Sequence, residues 1–201
     1  DAQESRGLGD VYKRQVRWET AVFVDKEPNA FALPGGKVGV NTGIFTVAKN
    51  QDQLAAVIGH EIGHVIARHH EERITRQMGA QTGLAVLGAL AGAAYGDGAA
   101  STVNQLGGMG AQAAFLLPGS RTQESEADVI GQRLMAQAGF NPAQAVDLWQ
   151  NMMAASGGRS PQWLSTHPDP ANRIQELRRD APGLTPVYQQ AQAAGLRPKC
   201  G

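Results

Sequence analysis

The residues with the most chemistry stand in one run, AAVIGHEIGHVIARHH, from Ala55 to His70. His60 and His64 are four apart, so on a helix their imidazoles leave the same face one turn apart and can converge on a single ion. Glu61, beside the first histidine, can bring its carboxylate to the open side of that ion without ligating it. Two histidine ligands and a general base form the HExxH arrangement of zinc hydrolases. The pattern is short and also arises by chance. The plain alternative is a pair of core histidines bonded to backbone carbonyls, which demands a separate buried partner for each ring nitrogen. His69 and His70 have no such spacing and read as the solvated end of the helix.

A catalytic zinc needs a third protein ligand and an open position for water. The run ESEAD supplies a candidate: Glu124 and Asp128 are i and i+4 on a second helix and share a face. Glu124 is the expected third ligand, and Asp128 the carboxylate that accepts from a ligating histidine and orients it. Glu126, roughly 200° around the helix from Glu124, points elsewhere. Without the upstream histidines the run would read as a solvated acidic face. The expected cofactor is one Zn2+ per chain. The expected chemistry is peptide hydrolysis, in which the ion acidifies a water, Glu61 takes the proton, and Glu61 then passes it to the leaving amine.

These residues need elements to hold them. Asn50 and Gln53 resemble a capping box opening a helix that runs to about Arg76, with Leu54, Val57, Ile58, Ile62, Val65 and Ile66 on its core face. Upstream, Trp18 to Asp25 reads as a strand, and Asn29 to Phe45 as short strands around a Pro-Gly-Gly turn. Gly83 to Tyr95 has no charged residue and spans thirteen positions, short of the roughly twenty needed to cross a bilayer, so it reads as a buried helix. Gly96 to Gly110 reads as a glycine-rich loop leading into another small-residue helix. Ser120 and Gln123 suggest a second capping box for a helix ending at Gly139, and Asn141-Pro142 opens another through about Met153. Ser160 to Asp180 reads as a loop and then a helix capped by Asp169 with Pro170 in its first turn. The fold class is therefore α+β, a small N-terminal sheet followed by a mostly helical domain.

Composition narrows the function. The 201 residues carry 18 Lys plus Arg against 18 Asp plus Glu, a formal net charge of zero, which argues against nucleic acid as a partner. The lone cysteine, Cys200, forms no internal disulfide and leaves the redox compartment open. Residues 1–15 read as a non-native tail: DVYKRQ, Asp10 to Gln15, back-translates to the mosaic end of a transposon adaptor. Residues 16–201 then form a single metallopeptidase domain whose natural N-terminus, with any signal peptide or lipid anchor, is missing.

HEIGH, ESEAD, NAFALPGGKVGVNTG and LSTHPDPANRI, taken in order, resemble the soluble bacterial envelope branch of the zinc metallopeptidases related to HtpX, BepA and the CAAX prenyl proteases. The resemblance spans about Trp18 to Leu177. It implies a gluzincin fold, with His60, His64 and Glu124 as zinc ligands and Glu61 as base. It implies an edge strand over the site, where Asn29, Ala30 and Phe31 take an extended peptide by β-augmentation; an ordinary structural strand is the alternative. The polypeptide substrate it suggests is an unfolded or misassembled envelope protein, in a periplasmic or lipid-anchored setting. The long spans of the prenyl proteases are missing here, so prenylated substrates do not carry over.

The resemblance also places the THP segment, with His167, near the metal cleft. Three roles stay open: a loop histidine bonded to local backbone, a donor to the oxyanion of the tetrahedral intermediate, or a gate that occupies the open position of the zinc. In the last case Arg173, one turn into the following helix, becomes the oxyanion donor. Two rival functions stand beside the protease. One is a latent or chaperone-like zinc-containing binding module. The other is a membrane-surface adaptor built on residues 83–117, its metal structural and closed by four protein ligands.

Overall fold

The structure, a computed structural model, describes residues 17–116, 121–155, 167 and 170–200. The tail at 1–15 and the two expected caps, Ser120 and Asp169, lie outside the described residues.

Strands β1 (Glu19–Phe23), β2 (Ala30–Leu33) and β3 (Lys37–Asn41) form one sheet in the order β1-β3-β2. β1 runs parallel to β3, and β2 antiparallel to it. The turn between β2 and β3 uses Gly35 and Gly36 at φ 88° and 84°, a left-handed region open to glycine at little cost. β2 alternates buried and exposed positions, with Ala30 and Ala32 in the core and Phe31 and Leu33 outside. Phe31 lies over Gly39, its cross-strand partner, and its ring stacks on Phe23 at 6.0 Å.

A 3₁₀ turn at Thr42–Thr46 leads into helix α1 (Gln51–Ile66). Asn50 caps it by accepting from the Gln53 amide at 2.9 Å, and the Gln53 side chain reaches back to the Lys49 amide at 2.7 Å. The expected helix to Arg76 is broken. α1 ends at Ile66, Arg68 turns the chain in the left-handed region at φ 57°, and α2 (His69–Tyr95) leaves in a new direction. Core facing is as the periodicity implies for Val57 and Val65, while Leu54, Ile58 and Ile62 are partly buried against the core.

Two readings of the middle segment are corrected. Residues 83–95 belong to α2 and are mostly exposed, Val86, Leu87 and Leu90 among them, with Gly88 the buried position. Gly96 to Gly110, read as a loop before another helix, is instead helical from Asp97 onward, part of helix α3 (Asp97–Leu116), which packs against α2. Gly107, one of the glycines that suggested a loop, serves helix contact instead: a Cβ there would strike Leu84, as one on Gly88 of α2 would strike Asn104. Packing outweighs the helix penalty of about 1 kcal/mol per glycine. Among the described residues, no helix is long and apolar enough to cross a membrane.

Helices α4 (Arg121–Gln137), α5 (Gln144–Ala155) and α6 (Pro170–Ala193) complete the described elements. Gly139, at φ 84°, ends the α4 segment, and α6 continues well past Asp180 because Leu177, Ala181 and Ala191 are buried. The core joins Val38 and Val40 of the sheet to Val57, Met135, Leu148, Trp149, Met152 and Leu177. The α1–α4 contact positions the site. A Cβ on Gly63 would sit 2.6 Å from the Ala127 carbonyl oxygen, and one on Gly131 would sit 2.8 Å from the His60 amide nitrogen. Only glycine permits this approach, and it sets the acidic face of α4 against the histidines of α1.

Candidate metal centre

His60 and His64 project from α1, Glu124 from α4, and His167 from the segment preceding α6. Their ligand atoms all lie within 4.8 Å of one another, a group able to hold one metal ion. His60, His64 and Glu124 are buried, and the His167 side chain is 12 % exposed. His60 Nε2 lies 3.0 Å from His64 Nε2, 3.2 Å from His167 Nδ1 and 3.4 Å from a Glu124 oxygen. His64 Nε2 lies 3.5 Å from the other Glu124 oxygen, and His167 Nδ1 lies 3.0 Å from Glu124 Oε2. Zinc bonds of about 2.0–2.1 Å in a tetrahedron require ligand atoms roughly 3.3 Å apart. The separations among His60, His64 and Glu124, 3.0–3.5 Å, match that spacing.

Two further observations test whether a cation fits. Glu124 Oε1 is buried without a hydrogen-bond partner, which is costly for a carboxylate oxygen unless a cation takes its lone pairs. The two Nε2 atoms also face one another. His60 Nδ1 lies 2.9 Å from Asp128 Oδ1, a contact that requires its N–H, so a neutral His60 turns a bare lone pair toward His64. A shared cation resolves both.

Asp128 is the hub behind His60. Arg173 holds it with two bonds, Nε to Oδ2 at 2.6 Å and Nη2 to Oδ1 at 2.7 Å, and Nη1 donates to Glu124 Oε2 at 2.9 Å. The Arg173 Nη2 also lies 3.0 Å from His60 Nδ1. Because both nitrogens are donors toward Asp128 Oδ1, that proximity follows from sharing an acceptor. The guanidinium is 1 % exposed and stacks over Trp149, 3.8 Å from the ring centroid. Its bonds therefore run to Asp128, behind His60, and to the ligand carboxylate Glu124.

The charges follow this wiring. Burial and Arg173 pull the His60 ring down, but hydrogen bonds to Asp128 and Glu124 outweigh them and lift it to about 9. Burial holds His64 down at about 4, so it is neutral and offers its lone pair across the neutral range. Burial opposes ionisation of Glu124, yet the hydrogen bond from His167, with the other histidines packed against the carboxylate, keeps it ionised well below the carboxylate range. Asp128 is likewise held down against burial, chiefly by Arg173. A metal ion and a proton compete for His60.

Glu61 is buried and meets His167 from the other side, Oε1 lying 3.3 Å from His167 Nε2. The imidazole of His167 thus stands between the ligand group and the carboxylate. Ala30 and Phe31 sit on β2, with Asn29 just before it; β2 is an edge of the sheet and packs on α1. Ala30 is buried, and Phe31, partly exposed, covers Gly39.

Three residues were misread or missed. His69, taken as solvated, is buried, and its Nδ1 lies 2.8 Å from His64 Nδ1. Glu126 points away from the ligand group, as expected, but its contact with His69 Nε2 at 3.3 Å was missed. Trp149, a core residue of α5, meets His60 edge-on at 6.3 Å and carries the Arg173 stack. No spacing rule links Trp149 to the histidines, since α5 reaches them only through tertiary packing.

Comparison with known proteins agrees with this geometry. The chain is 43 % identical over 166 residues to the mitochondrial metalloendopeptidase OMA1 of Schizosaccharomyces pombe, covering 81 % of this chain and 46 % of that protein. It is 37 % identical over 163 residues to the OMA1 of Arabidopsis thaliana, covering 81 % of this chain and 31 % of the relative. It is 32 % identical over 171 residues to the β-barrel assembly-enhancing protease of Escherichia coli K12, covering 82 % and 34 % respectively. The chain thus spans about half or less of the length of these relatives. Residues 8–181 match the description of peptidase family M48, a stretch that includes every element of the metal group, and the chain belongs to that family.

Proposed function

We propose that this chain is the catalytic domain of a zinc-dependent metalloendopeptidase, with residues 16–201 forming one domain. The observation that carries the reading is the convergence of His60, His64 and Glu124 on one point with the buried Glu61 carboxylate beside it. A binding site alone has no use for that carboxylate. His60, His64 and Glu124 would hold the zinc. When bound, zinc supplies a Lewis acid that lowers the pKa of a water toward about 7 and polarises a carbonyl.

The chain's own residues supply the rest. Glu61 accepts a proton on its carboxylate and returns it to the leaving amine. Asp128 fixes the His60 ring through Nδ1, and Arg173 fixes Asp128. β2, through Asn29, Ala30 and Phe31, aligns an extended peptide along its open edge. The substrates proposed are unfolded or misassembled proteins of a bacterial cell envelope, in keeping with the printed name of the Escherichia coli relative. The exposed apolar positions of α2 are the proposed membrane-surface contact. The test is cleavage of casein by zinc-loaded protein. Cleavage should stop with 1,10-phenanthroline and return with added zinc; no cleavage by protein carrying one zinc per chain would overturn the reading.

A latent form of the same enzyme is favoured by one observation. His167 stands between the ligand group and Glu61, and its Nδ1 completes a set of four donors. Four protein ligands close a zinc site, whereas catalysis keeps one position open. We therefore propose His167 as a gate that must swing away before substrate is cut. His167→Ala is expected to raise basal casein cleavage by roughly 10–100-fold, the factor that a gating equilibrium of about 1.4–2.8 kcal/mol would hide. Lower turnover in this variant would make His167 an oxyanion donor instead.

A further inference from the structure

We propose that His69 and Glu126 are positioning residues for His64, forming a chain of hydrogen bonds from the metal centre to the protein surface. The inference deepens the metal-centre reading and rests on it. His64 turns Nε2 toward His60 and Glu124, and Nδ1 toward His69 Nδ1 at 2.8 Å. Only one hydrogen lies between two such nitrogens. If His64 gives its Nε2 lone pair to a metal, its neutral ring carries the proton on Nδ1 and donates it to His69. His69 must then carry its own proton on Nε2, and that nitrogen faces Glu126 Oε2 at 3.3 Å. A carboxylate can only accept, so the direction of every bond in the chain is fixed.

The two ligand histidines are thus backed differently. His60 rests on Asp128, buried and pinned by Arg173. His64 rests on a buried neutral imidazole whose far end reaches a carboxylate 56 % exposed. Backbone geometry supports a placement under constraint. Among the described residues Arg68 alone, of the non-glycine residues, has positive φ, at 57°. Left-handed backbone is disfavoured there for any residue that carries a Cβ. In a continuous helix His69, five positions after His64, would project about 140° away from it. The turn at Arg68 starts α2 so that His69, its first residue, faces back onto the end of α1.

The test measures metal retention by chelator competition, with the Co2+ absorption spectrum as a second readout. His69→Leu should weaken zinc binding roughly 10–100-fold and alter the Co2+ bands. His69→Asn, whose side-chain oxygen can accept from His64 Nδ1, should recover most of that loss. A merely structural histidine would not be rescued selectively by an acceptor. Should His69→Leu fail to fold, Glu126→Ala, at a side chain half in solvent, carries the test. Weaker zinc retention there supports the chain of bonds, and wild-type retention overturns it. Equal zinc affinity in His69→Leu and wild type, or equal losses in the Leu and Asn variants, also overturn it while leaving the metal centre intact. A wild-type chain that takes up no metal would sink the metal-centre reading and this proposal together.

Discussion

Glu61→Gln is expected to keep one zinc per chain and lose casein turnover by roughly 10²–10⁴-fold, the usual worth of a positioned general base. The reason lies in what the substitution changes. Glutamine has the same length and fits the same buried space on α1, so the helix and the positions of His60 and His64 are preserved. It cannot accept a proton at neutral pH. Glu61 is not one of the four residues whose ligand atoms cluster, His60, His64, Glu124 and His167, and its carboxylate meets His167 Nε2 at 3.3 Å. Metal content and turnover should therefore separate. Zinc stoichiometry and casein cleavage measured on the same preparation decide the matter. Turnover within a few-fold of wild type would remove Glu61 from the base role, and loss of zinc would mean that its carboxylate holds the centre together.

The parts of the site legible in the sequence are those set by periodicity within one helix. His60 and His64 lie on one helical face, as do Glu124 and Asp128, because i and i+4 positions meet whatever the surrounding fold does. Helix starts were legible where a side chain does the capping, as at Asn50. The sheet was legible through its turn glycines. Four misreadings share a cause. The end of α1 at Ile66 depends on Arg68 adopting a conformation that nothing in its side chain announces. His69 and Glu126 meet only because of that turn and because α4 packs on α1, so counting around a single helix sent both outward. The glycines of 96–110 looked like loop formers, yet Gly107 lies where a Cβ would meet Leu84 of the facing helix. The apolar run at 83–95 has the composition of a core helix, but the described structure leaves most of it exposed. In each case the deciding interaction is between elements distant in sequence.

Arg173 should prove as important to stability as the ligands are to metal. Its guanidinium, 1 % exposed, gives three bonds to two buried carboxylates and stacks on Trp149. Methionine keeps the length and apolar bulk of the stem over Trp149 but removes the charge. Asp128 and Glu124 are then left buried without the cation between them. Breaking a buried pair in this way typically costs about 3–5 kcal/mol, much of it the penalty for the orphaned charge. Arg173→Met is therefore expected to lose about that much in urea unfolding, measured with a chelator present so that metal binding does not add to the native state. The double variant Arg173→Met with Asp128→Asn separates cause from coincidence. With Asp128 neutral there is less charge to orphan, so the double variant should be more stable than the sum of the single losses allows, by about 0.5–3 kcal/mol. Zinc retention should fall in both single variants, because Asp128 no longer holds the His60 ring as firmly. An Arg173→Met chain within about 1 kcal/mol of wild type, or strictly additive losses, would leave the guanidinium a bystander and free it for the oxyanion role.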